Sequence, residues 1–565
     1  MAQIELAAAD ALVRTLGAAG VSRYYGLASG KLAPLYRALA TIDTAHYTGV
    51  RHEAAAAFMA TAIFAGAGEL AVCLGETGPG GLNLLSGLGG AAANNLAVLA
   101  ITSSNDQALT RPDTGVFSST DNLSLFAPLM KWNARVHDPA RIPELVRTAL
   151  RAALSGRPGP VQLDIPADVL AATAHYDEAE LDARRSDFIA RSPTALPEAI
   201  AVAAKMMKAA RRPLIIAGGG VIRAGGAEML VRCAERLGAP VITTQMGTGA
   251  IPDDAPLCLG QGGLLGGPSS RLALEEADVV LALGCRFSSW MAMDGPPIWA
   301  GPAHQALIQV DIDPLMIGAR RSLALGIVAD LRCTLEVLHE FFAQTTQDND
   351  PEWLSRLAGA RAQYRAALSV HAEDTSVPMH PAALARAIGA QIGPSDLVVF
   401  DGGHTSFWSH DFTPALEPRT RFHEPGMSHL GFGLPWALAL KQSAPERNVF
   451  CITGDGTMGF TLQELDTARR EGLNIIVVVH NNARFGVIAA RQARDGIALG
   501  TDLSDTDYAA IARAFGCHAE LITQPEEVLP ALDRARASGL PALIDARVRF
   551  EPHPMLPVFG RSSQG

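Results

Sequence analysis

Residues 454–482 read GDGTMGFTLQELDTARREGLNIIVVVHNN, and this stretch predicts how the surrounding chain folds. The apolar run 448–453 before it predicts a buried strand that ends at GDG, and apolar residues at helical spacing follow. A second apolar run, 475–479, predicts a strand that leads to Asn482. Because neighbouring parallel strands end at the same edge of a sheet, we expect Asp455 and Asn482 to lie side by side.

Carboxylate and carboxamide oxygens are hard ligands, so Asp455 and Asn482 predict a magnesium ion that can hold a diphosphate. The glycines on either side of Asp455 allow a phosphate to approach main-chain N–H groups closely. GDG alone is equally typical of a tight turn, but here NN follows it after 24 residues (457–480) that predict a helix and a strand. The combined pattern predicts a metal–diphosphate site at the strand ends.

The bulk properties restrict the class of protein. A length of 565 residues predicts about three domains, and 48% hydrophobic with 18% charged residues is typical of a compact globular protein. A net charge of −11 argues against nucleic acid or an anionic membrane as a partner. The seven cysteines form no CxxC pair, and no uncharged apolar run reaches the ~18 residues of a membrane span. We expect a cytoplasmic protein without disulfides.

Short apolar runs alternate with helical segments along three regions, 1–180, 191–345 and 376–550. This alternation predicts an α/β fold of three doubly wound, parallel-sheet domains. The N-terminal segment predicts an amphipathic helix over 6–18. Residues 171–190 are polar and predict a linker.

The GDG–NN pair resembles the thiamine diphosphate motif, and the resemblance extends along nearly the whole chain. RHEAAA (51–56), TGPGGLN (77–83) and GRPGPVQLDIPADV (156–169) are similar to segments of the decarboxylase-type thiamine diphosphate family. That family includes acetolactate synthase, benzoylformate decarboxylase, pyruvate oxidase and glyoxylate carboligase. The resemblance implies that the first domain binds the cofactor's pyrimidine and the third binds its diphosphate and Mg²⁺.

The resemblance also implies roles for individual residues. Glu53 would hydrogen-bond the aminopyrimidine and promote removal of the thiazolium proton, although an acid capping the helix that follows is the alternative. Leu430 would support the bent shape of the cofactor, or serve only in core packing. Asp455, Asn482 and the backbone carbonyl of Arg484 would bind the metal. The implied cofactor-binding residues are Gly80, Asn83, Gly402, Gly403, His404, Thr405, Leu430, Gly454, Asp455, Gly456, Thr457, Asn482, Phe485 and Gly486.

The sequence departs from this family where the substrate should bind. Glu76 replaces the usual Ser, Thr or His, and it could relay protons or only pair with Lys31 or Arg491. His429 is a further catalytic candidate, and a structural hydrogen bond is its alternative role. The expected substrate pocket consists of Gly30, Lys31, Ser118, Val487, Ile488 and Arg491.

The middle region resembles the domain of acetolactate synthase that holds flavin adenine dinucleotide (FAD). The similar segments are AGGGVIRAGG (217–226), LGCRFS (283–288) and VDIDPLMIG (310–318). However, the acidic pair and arginine typical of that enzyme are absent after Phe287, and Leu265 stands where it has histidine. FAD binding and glycine turns that serve only packing both remain open.

The predicted function is a Mg²⁺- and thiamine diphosphate-dependent carboligase that cleaves or forms a C–C bond next to a carbonyl. Its substrates would be a 2-oxo acid, an aldehyde or a ketol. A decarboxylase without ligation is the alternative, and a non-catalytic binding protein of the same fold is disfavoured by the intact Glu53, Asp455 and Asn482. In this family the cofactor lies between subunits, which implies at least a homodimer and an expected homotetramer.

Overall fold

The computed structural model describes residues 3–110, 115–190, 192–291, 299–343 and 349–555. Three six-stranded parallel sheets, each flanked by helices, form three successive α/β units. The α/β prediction with three parallel sheets is therefore confirmed. Within the described ranges, no helix combines the length and apolar character needed to cross a membrane.

The first unit contains a six-stranded sheet and a two-stranded ribbon. Its strands are β1 (Gln3–Ala7), β2 (Arg23–Gly26), β3 (His46–Gly49), β4 (Val72–Gly75), β5 (Val98–Ser104), β6 (Trp132–Arg135), β7 (Pro160–Pro166) and β8 (Thr173–Asp177). Its helices are α1 (Ala8–Ala18), α2 (Ala33–Thr41), α3 (Glu53–Ala67), α4 (Pro79–Asn94), α5 (Gln107–Thr110), α6 (Asn122–Phe126), α7 (Ile142–Leu154), α8 (Ala167–Ala171), α9 (Glu178–Leu181) and α10 (Arg185–Phe188). The sheet order is β3-β2-β4-β5-β7-β6, and β1 pairs antiparallel with β8.

The middle unit is a second doubly wound sheet. Its strands are β9 (Pro213–Ala217), β10 (Val241–Thr243), β11 (Cys258–Gln261), β12 (Val279–Leu283), β13 (Ala306–Asp311) and β14 (Leu325–Val328), in the order β11-β10-β9-β12-β13-β14. Its helices are α11 (Pro197–Ala209), α12 (Gly219–Arg223), α13 (Ala227–Leu237), α14 (Pro268–Glu276), α15 (Leu331–Phe342) and α16 (Pro351–Ala372).

The third unit contains the GDG–NN stretch at the centre of its sheet. Its strands are β15 (Leu397–Phe400), β16 (Arg421–Phe422), β17 (Val449–Gly454), β18 (Ile476–Asn481), β19 (His518–Ile522) and β20 (Ala542–Arg547), in the order β16-β15-β17-β18-β20-β19. Its helices are α17 (Pro381–Gly389), α18 (His404–Phe412), α19 (Gly433–Ser443), α20 (Asp455–Met458), α21 (Glu464–Arg470), α22 (Gly486–Arg494), α23 (Tyr508–Ala514) and α24 (Val528–Ala537).

The first and third units share one hydrophobic core. Buried residues such as Phe58 on α3 and Leu440 on α19 belong to the same cluster, and α3 packs along α19. The helix α3 is apolar almost all round and is buried from residue 53 to residue 64, as expected of a helix enclosed by others. This shared core fixes the first and third units relative to each other.

The structure corrects two local predictions. The helix predicted over 6–18 is present from Ala8 to Ala18, whereas residues 3–7 form β1, and the predicted linker 171–190 contains β8. Both segments alternate apolar and polar residues, and Ile4, Leu6 and Tyr176 pack together on one face of the ribbon. Ala11 of α1 and Leu181 of α9 pack against this apolar face of the ribbon.

Candidate active site

The ends of β17 and β18 bring Asp455 and Asn482 to one edge of the sheet, as the motif predicted. Gly454 pairs with His480 in parallel register, so both strands end at the same level. Asp455 is 4% exposed; its Oδ1 accepts the Gly456 N–H at 2.8 Å and its Oδ2 accepts the Arg484 N–H at 3.1 Å. Burial raises the pKa of Asp455, which these backbone N–H groups partly oppose.

The Asn482 side chain gives an independent indication of a ligand. Its Oδ1 atom is buried and has no hydrogen-bond partner among the described residues. A buried acceptor without a donor is costly, and a cation beside Asp455 would satisfy it. The described residues contain no group of three or more His, Cys, Asp or Glu side chains suited to a metal. A set of one carboxylate, one amide oxygen and one backbone carbonyl therefore fits Mg²⁺ better than a transition metal.

The glycines predicted to bind the diphosphate lie at two adjacent strand ends. Gly402, after β15, has φ +104°, and a Cβ atom there would lie 3.0 Å from Thr457 Oγ1. A Cβ atom at Gly454 would lie 3.1 Å from Thr405 Oγ1. Both threonine hydroxyls therefore lie close to the two glycine turns, and hydroxyl and main-chain N–H groups of this kind can bind a phosphate.

His404, the first residue of α18, faces the loop that follows the NN motif. Both of its ring nitrogens are buried without a partner among the described residues, and burial lowers its pKa to about 4. Its ring stacks on Phe550, and a Cβ atom at Gly486 would lie 2.9 Å from its Nδ1. A neutral imidazole in this place can donate one N–H to a phosphate oxygen.

The residues that follow the NN motif pack against the glycine turns. A Cβ atom at Gly456 would lie 2.7 Å from the Phe485 ring, and one at Gly403 would collide with Val487. The predicted residues on either side of the NN motif are therefore brought together. Ile488 and Arg491 lie further along α22 on its exposed side.

The residues predicted to bind the pyrimidine lie where α3 and α4 begin. Glu53 is the first residue of α3 and is 9% exposed, and its Oε2 accepts the Asn83 Nδ2–H at 2.9 Å. A Cβ atom at Gly80 would lie 3.4 Å from Glu53 Oε1. The structure thus brings together Glu53, Gly80 and Asn83, as predicted, and the His52 side chain rather than Glu53 caps the helix by accepting the Ala54 N–H.

Glu76, like Glu53, lies close to Gly80. A Cβ atom at Gly80 would lie 3.6 Å from Glu76 Cβ. The Glu76 carboxylate accepts the Lys31 backbone N–H at 3.1 Å, and the Lys31 ammonium lies 3.7 Å from its Oε1. Of the two cationic partners considered from the sequence, Lys31 is thus in contact with Glu76. Gly30 precedes this lysine in the same loop.

Ser118 belongs to the same neighbourhood. It has φ 56°, and a Cβ atom at Gly78 would lie 3.1 Å from the Ser118 Cβ. The Lys31 ammonium also approaches the Phe117 carbonyl at 3.5 Å. The first unit therefore gathers Gly30, Lys31, Glu76 and Ser118 beside Glu53.

Leu430 and His429 lie on a segment between β16 and α19. The His429 Nδ1–H donates to the Leu430 carbonyl at 2.8 Å, and its ring packs edge-on against Phe58 at 5.0 Å between centroids. Two acids that sequence reasoning did not assign hold this segment, Glu424 and Asp401. Asp401 adjoins a recognised glycine turn, but Glu424 stands in no recognised motif.

A separate cleft of about 540 Å³ lies between the middle unit and its neighbours. Arg223, Arg286 and Arg419 line it, and burial together with the neighbouring Arg286 lowers the pKa of Arg223 to about 10. Gln245 also lines the cleft, and its buried amide atoms have no partner among the described residues. These features suit a ligand with a diphosphate group.

Comparison with known proteins matches all three units to one family. Residues 6–125 match the family model "Thiamine pyrophosphate enzyme, N-terminal TPP binding domain". Residues 200–338 match the central domain, and residues 401–546 match the "C-terminal TPP binding domain". Thiamine pyrophosphate is another name for thiamine diphosphate.

Full-length relatives agree with this assignment. A probable acetolactate synthase large subunit of Methanocaldococcus jannaschii is 32% identical over 570 residues, which covers 98% of this chain and 94% of the relative. The acetolactate synthase large subunit of Corynebacterium glutamicum is 31% identical, covering 95% and 86%. A probable 2-ketoarginine decarboxylase of Pseudomonas aeruginosa is 34% identical, covering 95% and 92%. The chain therefore belongs to the thiamine diphosphate-dependent enzymes, within their acetolactate synthase-like group.

Proposed function

We propose that this thiamine diphosphate-dependent enzyme binds its cofactor through Mg²⁺ and acts as a carboligase on a 2-oxo acid. The observation that carries the proposal is the buried, unpartnered Asn482 oxygen beside Asp455 at the edge where the glycine turns meet. A divalent cation at this point would hold the diphosphate, and the Arg484 carbonyl is the proposed third protein ligand.

When bound, the cofactor would supply a carbon nucleophile for a carbonyl group and an electron acceptor for cleavage of the neighbouring bond. Glu53 would hold a proton at the pyrimidine end, and Asn83 keeps its carboxylate in place through the 2.9 Å hydrogen bond. Leu430 would pack against the cofactor and support its bent shape. Glu76 and Lys31 would contact the substrate beside Gly80.

Carboligation is the favoured reaction because the acetolactate synthase relatives align over nearly the whole chain. Simple decarboxylation is the second candidate, favoured by the 34% identity to a probable 2-ketoarginine decarboxylase. Both reactions would use the same cofactor contacts, so the acceptor of the second step distinguishes them.

Product analysis tests the proposal. The purified enzyme with Mg²⁺ and thiamine diphosphate is given a panel of 2-oxo acids, including pyruvate and 2-ketoarginine, with and without aldehyde or 2-oxo acid acceptors. We expect CO₂ release together with a ketol product. CO₂ and free aldehyde alone, whatever the acceptor, would favour the decarboxylase, and no turnover of any 2-oxo acid would refute both.

The arginine-lined cleft is proposed to bind a nucleotide through its diphosphate, with FAD as the family candidate. The supporting features are Arg223, Arg286 and the unpartnered Gln245. Binding is measured by fluorescence titration with FAD and by calorimetry with ADP. Binding of ADP without FAD would show that the departures at Leu265 and after Phe287 exclude the flavin.

We also propose that the active unit is at least a dimer, with a tetramer expected, in the cytoplasm. Leu82 on α4 is 45% exposed and Phe460 after α20 is 51% exposed. Both large apolar side chains lie close to proposed cofactor residues, where a second subunit would cover them.

A further inference from the structure

The segment 424–433 is fixed by a buried carboxylate at its beginning. Glu424 is 1% exposed, and its Oε1 accepts the Met427 N–H at 2.9 Å. Its Oε2 accepts the His429 N–H, also at 2.9 Å. Two main-chain groups on the approach to Leu430 are therefore bound by one side chain.

A second buried carboxylate holds the other end of the same segment. Asp401 is 2% exposed, and its Oδ2 accepts the Gly431 N–H at 3.1 Å and the Gly433 N–H at 2.8 Å. Leu430 thus lies between residues held by Glu424 and residues held by Asp401. The position of its side chain is set from both directions along the main chain.

Glu424 also ties the segment to the first unit. The Asn94 Nδ2–H, at the end of α4, donates to Glu424 Oε1, and Asn94 Oδ1 accepts the Gly426 N–H at 3.0 Å. A Cβ atom at Gly426 would lie 2.7 Å from Ala93 Cβ, so the contact with α4 is close. These contacts therefore fix the position of the segment relative to α4, whose first turns carry Gly80 and Asn83.

This support is needed because the segment is intrinsically loose. It contains Gly426, Gly431 and Gly433, and Ser428 has a left-handed φ of 51°. Such a conformation in a non-glycine residue persists only where surrounding contacts enforce it. Without its acceptors, the main chain on either side of Leu430 could adopt other paths.

We propose that Glu424 is a positioning residue. By accepting hydrogen bonds from the Met427 and His429 N–H groups, it fixes the position and orientation of the Leu430 side chain against the cofactor. The inference rests on the proposed function, because it takes Leu430 to support thiamine diphosphate. Asp401 fixes the opposite end of the same segment through the N–H groups of Gly431 and Gly433.

The test compares the wild-type enzyme with Glu424→Gln, in which an NH₂ group must face at least one N–H donor. Calorimetry measures binding of thiamine diphosphate with Mg²⁺, and quenched NMR measures deuterium exchange at C2 of the bound cofactor. We expect binding to persist while C2 exchange slows on the order of 10²-fold, as displacement of a supporting group by about 1 Å can cause. Amide exchange of peptide 424–433 in the cofactor-free variant should be faster than in wild type.

Asp253→Asn is the matched control, because Asp253 also accepts a backbone N–H, that of Ala415 at 2.7 Å, but lies outside the segment. We expect it to lower the melting temperature without changing C2 exchange. Wild-type C2 exchange in Glu424→Gln, or equal slowing in both variants, would overturn the proposal. If Glu424→Gln does not fold, amide exchange of peptide 424–433 in the wild-type enzyme provides the test. A complete lack of amide protection in that peptide would contradict the proposed hydrogen bonds. Failure of the wild type to bind the cofactor would instead refute the proposed function, and the inference with it.

Discussion

The Asp455 carboxylate accepts the N–H groups of the neighbouring Gly456 and of Arg484, which follows β18, so it is positioned before any cation binds. Asn482 contributes an oxygen without a partner among the described residues. Positioned oxygen ligands reduce the ordering that metal binding requires, and they make the two side chains interdependent.

We predict that Asp455→Ala abolishes binding of thiamine diphosphate, because a cation would lose its charged protein ligand. The Tyr508 hydroxyl donates to the backbone carbonyl of residue 455, so that hydrogen bond is retained. Calorimetry with and without a chelator measures the effect. Asp502→Ala, which removes a mostly exposed acid paired with Arg484, is the control and should bind normally. Equal wild-type affinity with and without chelator would contradict the prediction.

Glu76→Gln should weaken substrate binding more than it slows turnover. The Glu76 carboxylate contacts both the backbone N–H and the ammonium of Lys31, so the substitution loosens this lysine rather than removing a reacting group. Because the pair is partly exposed, about 1 kcal/mol is at stake, which raises KM about fivefold. Steady-state kinetics measures it, with Lys31→Met as the companion variant. An unchanged KM with a depressed kcat would instead favour the proton relay.

At the residue scale, sequence reasoning identified those residues whose type alone indicates the chemistry they could perform. Glu53, Asp455 and Asn482 stand at helix starts and strand ends, and the fold alone brings them to their predicted neighbours. Glu424 and Asp401 could not be assigned this way, because they bind main-chain N–H groups. Which N–H groups they meet depends on the path of the chain between β15 and α19.

Among the elements, α3 and α4 form a close helix contact beside the site. Gly87 on α4 faces α3, and a Cβ atom there would lie 2.6 Å from Ala57 Cβ and 3.0 Å from the Ala54 carbonyl oxygen. This approach determines how far Glu53 at the start of α3 lies from Asn83 on α4.

We predict that Gly87→Ala lowers the free energy of unfolding by about 1–3 kcal/mol, the usual cost of overpacking. The gain in helix propensity, about 1 kcal/mol, opposes this loss but does not remove the backbone clash. Denaturant titration measures the change. Ser86→Ala, on the exposed side of the same helix, is the control and should be neutral or stabilising. An unchanged unfolding midpoint for Gly87→Ala would show that the helices can separate freely.

The elements also show where pattern reading is limited. The three parallel sheets were predictable because continuous apolar runs alternate with helices. The β1–β8 ribbon was missed because each strand has only five residues and its partner lies about 170 residues away. Period-two alternation is present in both segments, but it does not indicate that they pair with each other.

For the whole molecule, the proposed assembly makes a quantitative prediction. If Glu53 of one subunit and Asp455 of its partner share one cofactor, Glu53→Gln and Asp455→Ala each inactivate every site. Glu53→Gln should slow C2 exchange by about 10²–10⁴-fold. When equal amounts are mixed and allowed to exchange subunits, about a quarter of the sites combine two intact halves in a dimer of this symmetry.

Activity of the mixture, relative to wild type, tests this arrangement. A mixture of wild type with Asp455→Ala controls for the exchange procedure, and analytical ultracentrifugation records the assembly. Recovery to about a quarter of wild-type activity is expected from that count. No recovery despite proven subunit exchange would place both residues in one subunit's site.

The pairing of β1 with β8 has a consequence for how the molecule could have been assembled in evolution. Gln3 is opposite Asp177, so the two ends of the segment 3–177 lie at neighbouring points, about 5 Å apart. If the part of the gene that encodes residues 3–177 moved to another place, the connections between elements inside this segment would not have to change. A recombination event that moved it behind the third unit would need only a connecting segment long enough to reach, with the shared core between them re-formed. In a chain of this design, the neighbouring ends of the segment 3–177 would allow the two cofactor-binding halves to follow each other in either order.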